Sequence, residues 1–116
     1  MKDYNFNFTV DGKVYPLIFN LNVIEEIQAE YGTISKWGEL TDGKKGEVDA
    51  KALSFGLTAM YNEAVEIENE ENGTQLPKME RKQMSRIISK YGLQKSAEAM
   101  NGAFVEATKS DGSKNA

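Results

Sequence analysis

Residues 8–19, "FTVDGKVYPLIF", decide the fold because they have the pattern of a β-hairpin with a two-residue turn. Asp11-Gly12 can adopt the positive φ angles of a type I′ turn. Apolar side chains alternate on both sides of that turn, which places one set of them on a single face. The predicted pairs are Val10–Lys13, Phe8–Tyr15, Phe6–Leu17 and Tyr4–Phe19. An isolated hairpin is only marginally stable in water, so we expect helices to cover this face.

Pro16 falls opposite Asn7 in this register, at a position where the two residues do not exchange hydrogen bonds. Proline has no backbone N–H to donate to a further strand. We therefore expect the second strand to have an open or only partly paired outer edge.

The remainder of the chain has the apolar spacing of helices, separated by glycine, proline and polar loops. A first helix is predicted from an Asn22 N-cap, with Glu25 completing a capping box, to a stop at Gly32. The later helical segments are a short turn carrying Trp37, a long helix from about Asp49 to Glu68, a helix from Pro77 to Tyr91, and a last helix from about Gln94 to Ala107. These elements predict an α+β fold in which an N-terminal two-stranded antiparallel hairpin packs on a bundle of four to five helices.

One domain is predicted over residues 1–108, with the hairpin at about 4–19 and the helices at about 23–108. A chain of 116 residues is of single-domain size. Residues 109–116, "KSDGSKNA", are predicted to form a flexible C-terminal tail.

Composition excludes several classes of chemistry. The chain contains no cysteine and no histidine, which excludes disulfides, Cys/His zinc sites and His-dependent catalytic triads. A net charge of −4 disfavours general nucleic-acid binding. No apolar run has the length of a membrane span or a signal peptide, so a cytoplasmic location is predicted. We predict no catalytic, cofactor-binding or metal-binding residues, although carboxylate chemistry remains formally open.

The long helix carries a second apolar stripe nearly opposite its main one. The stripe consists of Val48, Ala52, Phe55 and Ala59. Two interpretations are open: the helix is central in the fold, or its second face meets another chain, including a second copy of this one. We take these four residues as candidate partner-binding residues.

Charge changes sign along the second half of the chain. Glu63, Glu66, Glu68, Glu70 and Glu71 form an acidic stretch, which most simply is a solvated helix end. The next helix carries a basic ridge, Lys82, Arg86 and Lys90, continued backwards by Lys78. The ridge is either a charged surface, a docking strip for an acidic partner, or a phosphate contact. We take Lys82, Arg86 and Lys90 as further candidate partner-binding residues.

The order of these elements resembles a known family. Residues 6–40, "FNFTVDGKVYPLIFNLNVIEEIQAEYGTISKWGEL", combine a hairpin, a helix ending in Tyr-Gly and a Trp-containing turn, and "DAKALSFGLTAMYNEA" at 49–64 begins a long helix. This pattern resembles the small tail assembly chaperones of long-tailed bacteriophages and prophages of Gram-positive bacteria. The resemblance covers roughly residues 6–64 and transfers no particular binding residue.

The resemblance implies a non-enzymatic role in virion assembly inside the host bacterial cytoplasm. Such a chaperone binds the tape measure protein, keeps that long helical chain soluble, helps to recruit major tail tube subunits and is absent from the finished particle. The alternatives are a structural tail or connector component, and a small acidic inhibitor that mimics nucleic acid through Glu63–Glu71. An enzyme that uses carboxylates and a divalent metal is a further alternative.

Overall fold

The computed structural model describes the backbone of residues 3–114 and the side chains of residues 3–109. Within these described residues, a two-stranded antiparallel hairpin is followed by five helices, so the predicted α+β architecture is confirmed. The elements are β1 (Tyr4–Val10), β2 (Lys13–Phe19), α1 (Leu21–Tyr31), α2 (Ile34–Thr41), α3 (Ala50–Asn72), α4 (Arg81–Tyr91) and α5 (Leu93–Lys114).

The hairpin has the predicted register, from Val10 opposite Lys13 to Tyr4 opposite Phe19. The turn residues adopt the expected left-handed conformation, with φ of 49° at Asp11 and 82° at Gly12. Pro16 lies opposite Asn7, as predicted. The register is well specified because a slip of one residue would turn the aromatic side chains towards solvent.

The apolar face of the hairpin forms one side of the core. β2 packs against α3, and β1 packs against α5. The hairpin residues that are buried in this way are Phe6, Phe8, Val10, Tyr15, Leu17 and Phe19. The helices therefore supply the cover that a two-stranded hairpin needs.

Two predicted helix starts are wrong. The N-cap of α1 is Asn20 rather than Asn22, because Asn20 keeps an extended backbone and its Oδ1 accepts a hydrogen bond of 3.2 Å from the Val23 N–H. α4 begins at Arg81 with Glu80 as its N-cap, so Pro77 lies outside the helix. The Glu80 N–H donates to Gln83 Oε1 at 2.8 Å, which satisfies a backbone donor at the true start of α4.

Two helices continue further than predicted. α3 extends to Asn72 and ends where Gly73 adopts a φ of 65°. α5 continues to Lys114, so residues 109–114 of the predicted tail are helical. Adding residues to an existing helix costs little, and no proline interrupts this segment. Asn115 and Ala116 lie outside the described residues, and the flexibility of this segment stays a prediction.

Residues 74–80 have no regular secondary structure and form a segment, which we call the strap, that is bonded to α3 at Leu76 and Met79 before α4 begins. The Asn62 side chain accepts from Met79 N–H at 2.7 Å and donates to Met79 O at 2.8 Å. Asn69 bonds Leu76 N–H and O in the same way, at 2.9 Å and 3.1 Å. The distance from Asn62 to Asn69 along α3 matches the distance from Leu76 to Met79 along the strap, because seven helical residues rise about 10.5 Å and three extended residues span about 10 Å.

Gly56 lies in the middle of α3 and lets the Trp37 ring approach the helix backbone. A Cβ atom at Gly56 would lie 2.2 Å from Cζ2 of Trp37. The indole Nε1–H donates to Ala52 O at 2.8 Å, so the ring is buried with its donor satisfied. Trp37 is therefore a core residue, and Gly56 lies inside a helix because the ring needs the space that a side chain would take.

Within residues 3–114, no helix combines the length and hydropathy needed to cross a bilayer.

Candidate interaction groove

A solvent-open groove of about 740 Å³ lies between α1, α3 and the strap, and we call it the acidic groove. α1 lines it with Asn22, Glu25, Glu26 and Ala29, which share one helix face at spacings of three and four residues. α3 lines it with one face that extends from Phe55 to Glu66. Lys78 of the strap and Arg81 of α4 lie along its far side.

The floor of the groove is apolar at one end. Ala29, Phe55 and Ala59 line it there, and Phe55 is only partly buried. The Phe55 ring packs edge-on against Tyr31, with ring centroids 5.6 Å apart, so its position is fixed by an aromatic neighbour. The small alanines on either side leave room for a side chain from outside.

The other end of the groove is acidic. The Oε2 atom of Glu63 accepts hydrogen bonds from the side-chain amides of Asn20 at 2.8 Å and Asn22 at 2.9 Å. Glu66 pairs with Lys78. These contacts fix two carboxylates on α3, but the amides that hold Glu63 do not neutralise its charge.

Glu26 lies in the field of these carboxylates. Partial burial raises the pKa of Glu26 above its ordinary value of 4.5, the negative charges of Glu63 and Glu66 raise it further, and Lys78 opposes the shift. A carboxylate that is held among like charges is stabilised by any added cation. The acidic end of the groove therefore favours a positively charged group.

The structure decides between the two interpretations of the second apolar stripe. Val48 is 3% exposed, Ala52 0% and Ala59 8%, so α3 is a central helix. The assignment of Val48 and Ala52 to an exposed partner surface is wrong, because both pack inside the core. Ala59 is buried as well but reaches the groove floor, and Phe55 is the member of the stripe that solvent reaches.

The basic ridge lies where the sequence predicts it. Lys82, Arg86 and Lys90 are exposed on α4, and the buried residues of that helix are Met84 and Ile88 on its other side. None of the three ridge residues lines the acidic groove. Lys78, the predicted continuation of the ridge, belongs to the strap and pairs with Glu66 instead.

A second hollow, of about 410 Å³, lies beside the hairpin at Pro16. Ile18, Val65 and the half-exposed Leu76 give it an apolar lining. Residues of both strands line this hollow, together with the second half of α3 and Leu76 of the strap. Within residues 3–114, β2 pairs with no strand other than β1, so its outer edge is unpaired as predicted.

Sequence reasoning missed the groove because its residues have the appearance of solvated helix faces. The available signal was the paired spacing of Asn22, Glu25, Glu26 and Ala29 on α1 with a mixed apolar and acidic face on α3. Among the described residues, no group of three or more acidic side chains is arranged to hold a metal ion.

Comparison of the chain with protein-family models, with curated proteins and with solved structures found no match.

Proposed function

We propose that this chain is a phage or prophage tail assembly chaperone. In this role it acts without catalysis in the host bacterial cytoplasm, binds the tape measure protein, keeps it soluble and helps to bring tail tube subunits to it.

The observation that carries the proposal is the order of elements over residues 6–64. The hairpin turns at Asp11-Gly12, α1 ends at Tyr31-Gly32, α2 carries Trp37, and α3 follows as a long helix. This is the order on which the resemblance to tail assembly chaperones rests. It supports the proposal through the arrangement of elements rather than through any single diagnostic residue.

The surfaces of the chain suit a binder that must later release its partner. The acidic groove and the basic ridge of Lys82, Arg86 and Lys90 are separate surfaces of opposite charge. Several weak contacts along one long partner give strong binding overall, while each contact remains releasable. Exposed charge pairs supply contacts of that strength.

Co-expression with the tape measure protein of the same phage or prophage tests the proposal. Only the tape measure protein carries an affinity tag, and the readouts are co-purification of this chain and the soluble fraction of the larger protein. We expect this chain to co-purify and the soluble fraction to rise. The control is expression of the tagged tape measure protein alone at the same level.

Two results would contradict the proposal. The first is the absence of both co-purification and rescue when both proteins are well expressed. The second is recovery of this chain in purified particles at the copy number of a tail or connector component, because a chaperone leaves before the particle is complete.

A further inference from the structure

We propose that the acidic groove is the docking site for a helical segment of a partner that carries an apolar residue at one end of its contact face and Lys or Arg about two turns away. The inference rests on the proposed function only in assigning that segment to the tape measure protein.

The shape of the groove indicates a helix as the occupant. Its long walls are faces of two packed helices, α1 and α3, and a third helix fits such a groove by placing its side chains between theirs. Within residues 3–114, the groove is bordered otherwise by Lys78 of the strap and by Arg81, the first residue of α4. Because Ala29 and Ala59 have small side chains, a partner helix can approach the backbones of α1 and α3 closely.

The charge of the groove indicates that its occupant is positively charged. Among the described side chains, Glu25 and Glu26 of α1 have no ion-pair partner, Glu63 is held by neutral amides, and Glu66 is paired with Lys78. Three carboxylates in the groove are thus left without a direct counter-ion, and Arg81, the other cation in its lining, forms no ion pair with them within residues 3–109. Lys or Arg side chains from a partner would neutralise them, whereas an acidic segment would be repelled.

The two ends of the groove set the register of the occupant. Phe55 marks the apolar end and Glu63 the acidic end, and they lie eight residues apart on α3. That separation corresponds to about 12 Å along a helix, or roughly two turns. A partner helix that lies along α3 therefore needs its apolar anchor and its basic residues at positions close to i and i+7.

A designed peptide tests the inference directly. The probe is a fluorescein-labelled helical peptide of about 16 residues with Leu at one end of one face and Lys two turns away on the same face. A second peptide has the same composition in an order that breaks this face. We expect fluorescence anisotropy to show saturable binding of the first peptide and at least tenfold weaker binding of the second.

Two matched variants locate the site. Ala29→Arg places a long cation inside the groove, whereas Gln28→Arg makes the same charge change one residue earlier, at an exposed position that does not line the groove. We expect Ala29→Arg to weaken peptide binding about tenfold or more, and Gln28→Arg to leave it within about twofold. Far-UV circular dichroism checks that both variants are folded.

A charge-neutralising pair separates the role of the carboxylates from that of shape. Glu25→Gln with Glu26→Gln removes two groove charges, and Glu47→Gln with Glu70→Gln removes two exposed charges that do not line the groove. The first pair should weaken binding about threefold to tenfold, and the second should have less than half of that effect.

Equal binding of both peptides, or equal binding by the two arginine variants, overturns the inference. Self-association that Glu25→Gln with Glu26→Gln abolishes, in a chain that does not bind the peptide, also overturns it by identifying a second copy as the occupant. The tape measure pull-down separates the two proposals. If the Ala29→Arg and Gln28→Arg variants both co-purify with the tape measure protein, docking in the acidic groove is contradicted while the proposed function stands. If the chain binds the peptide but not the tape measure protein, the proposed function is contradicted while docking in the groove stands.

Discussion

At the scale of single residues, Gly56 determines how closely α2 approaches α3. The Trp37 indole lies where a side chain at residue 56 would lie, and its Nε1–H reaches Ala52 O. A side chain at residue 56 would have to displace the Trp37 ring, which is rigid and whose Nε1–H is already hydrogen-bonded. The absence of a side chain at Gly56 is therefore a packing requirement and not a matter of helix flexibility.

Gly56→Ala is expected to lower the free energy of unfolding by about 1–3 kcal/mol, because overpacking outweighs the gain in helix propensity. Urea denaturation followed by fluorescence measures the effect, and the emission of the single tryptophan should shift to longer wavelength as the indole is displaced. Gly102→Ala is the control: apart from its chain neighbours and the backbone of its own helix, no atom lies within 4 Å of its added Cβ, so it should be neutral or stabilising. Equal stabilisation by both substitutions would contradict this account.

Glu26 gives a prediction with a pH dependence. Its pKa is raised in the folded protein by partial burial and by Glu63 and Glu66. A raised carboxyl pKa means that the folded state holds the proton more tightly, so the free energy of unfolding falls as pH rises from 4.5 through the folded pKa. Above that window the ionised Glu26 is a net cost, since Lys78 opposes the shift only in part.

Glu26→Gln is therefore expected to raise the free energy of unfolding at pH 7 by a few tenths of a kcal/mol, a value already reduced for the exposure of the side chain. Below the ordinary carboxyl pKa the two proteins should converge, because protonated Glu and Gln are then both neutral. Urea denaturation at a series of pH values measures the difference. A variant that is less stable than the parent at pH 7 would contradict the expected sign.

At the scale of elements, the strap is held to α3 by two asparagine side chains that act as substitutes for backbone groups. Each side chain both accepts from and donates to one strap residue, at Leu76 and at Met79. Residues 74–78 of the strap are exposed, so Met79, which packs partly buried against the core, is its main apolar contact. Segments held mainly by polar contacts open at low free-energy cost, so these bonds decide whether the strap stays on the helix.

Asn62→Ala is expected to release the strap near Met79 and to speed tryptic cleavage after Lys78 several-fold. Loss of the amide leaves two half-buried backbone groups without partners, which costs about 1–3 kcal/mol for that contact. Limited proteolysis with mass spectrometry measures the rate. Asn72→Ala, whose amide contacts the exposed Glu68 of its own helix, is the control and should cleave at the parent rate. Equal cleavage rates of the two variants would contradict the role of Asn62 in holding the strap on α3.

The elements also show what the sequence could predict. The hairpin register follows from Asp11-Gly12 and the period-two alternation, because both act locally. The stop of α1 at Gly32 is local for the same reason. The start of α4 was predicted at Pro77 from the preference of proline for the first turn of a helix. That preference does not decide the start here, because Asn62 and Asn69 bond the backbone of Met79 and Leu76 on either side of Pro77. The groove could not be predicted from either helix alone, because its acidic end exists only where α1 and α3 meet.

At the scale of the whole molecule, the last helix, α5, packs against the first strand, β1, so the two ends of the chain meet in one core. Phe104 of α5 makes edge-on contacts with Tyr4, Phe6 and Phe19, at centroid distances of 5.9 Å, 5.5 Å and 5.1 Å. Phe104 and Trp37 also line one apolar cavity of about 170 Å³. Hairpin, α2 and α5 therefore share contacts, which predicts that they unfold together.

Phe104→Ala is expected to lower the free energy of unfolding by about 2 kcal/mol, less than for a fully buried Phe because its ring is partly exposed. Since the cavity beside Trp37 grows, tryptophan fluorescence and far-UV circular dichroism should report the same shifted urea midpoint. Val105→Ala is the control, because Val105 is 47% exposed and its truncation should change stability by less than about 0.5 kcal/mol. An early loss of helix signal with an unchanged Trp37 transition would mean instead that α5 unfolds separately from the core.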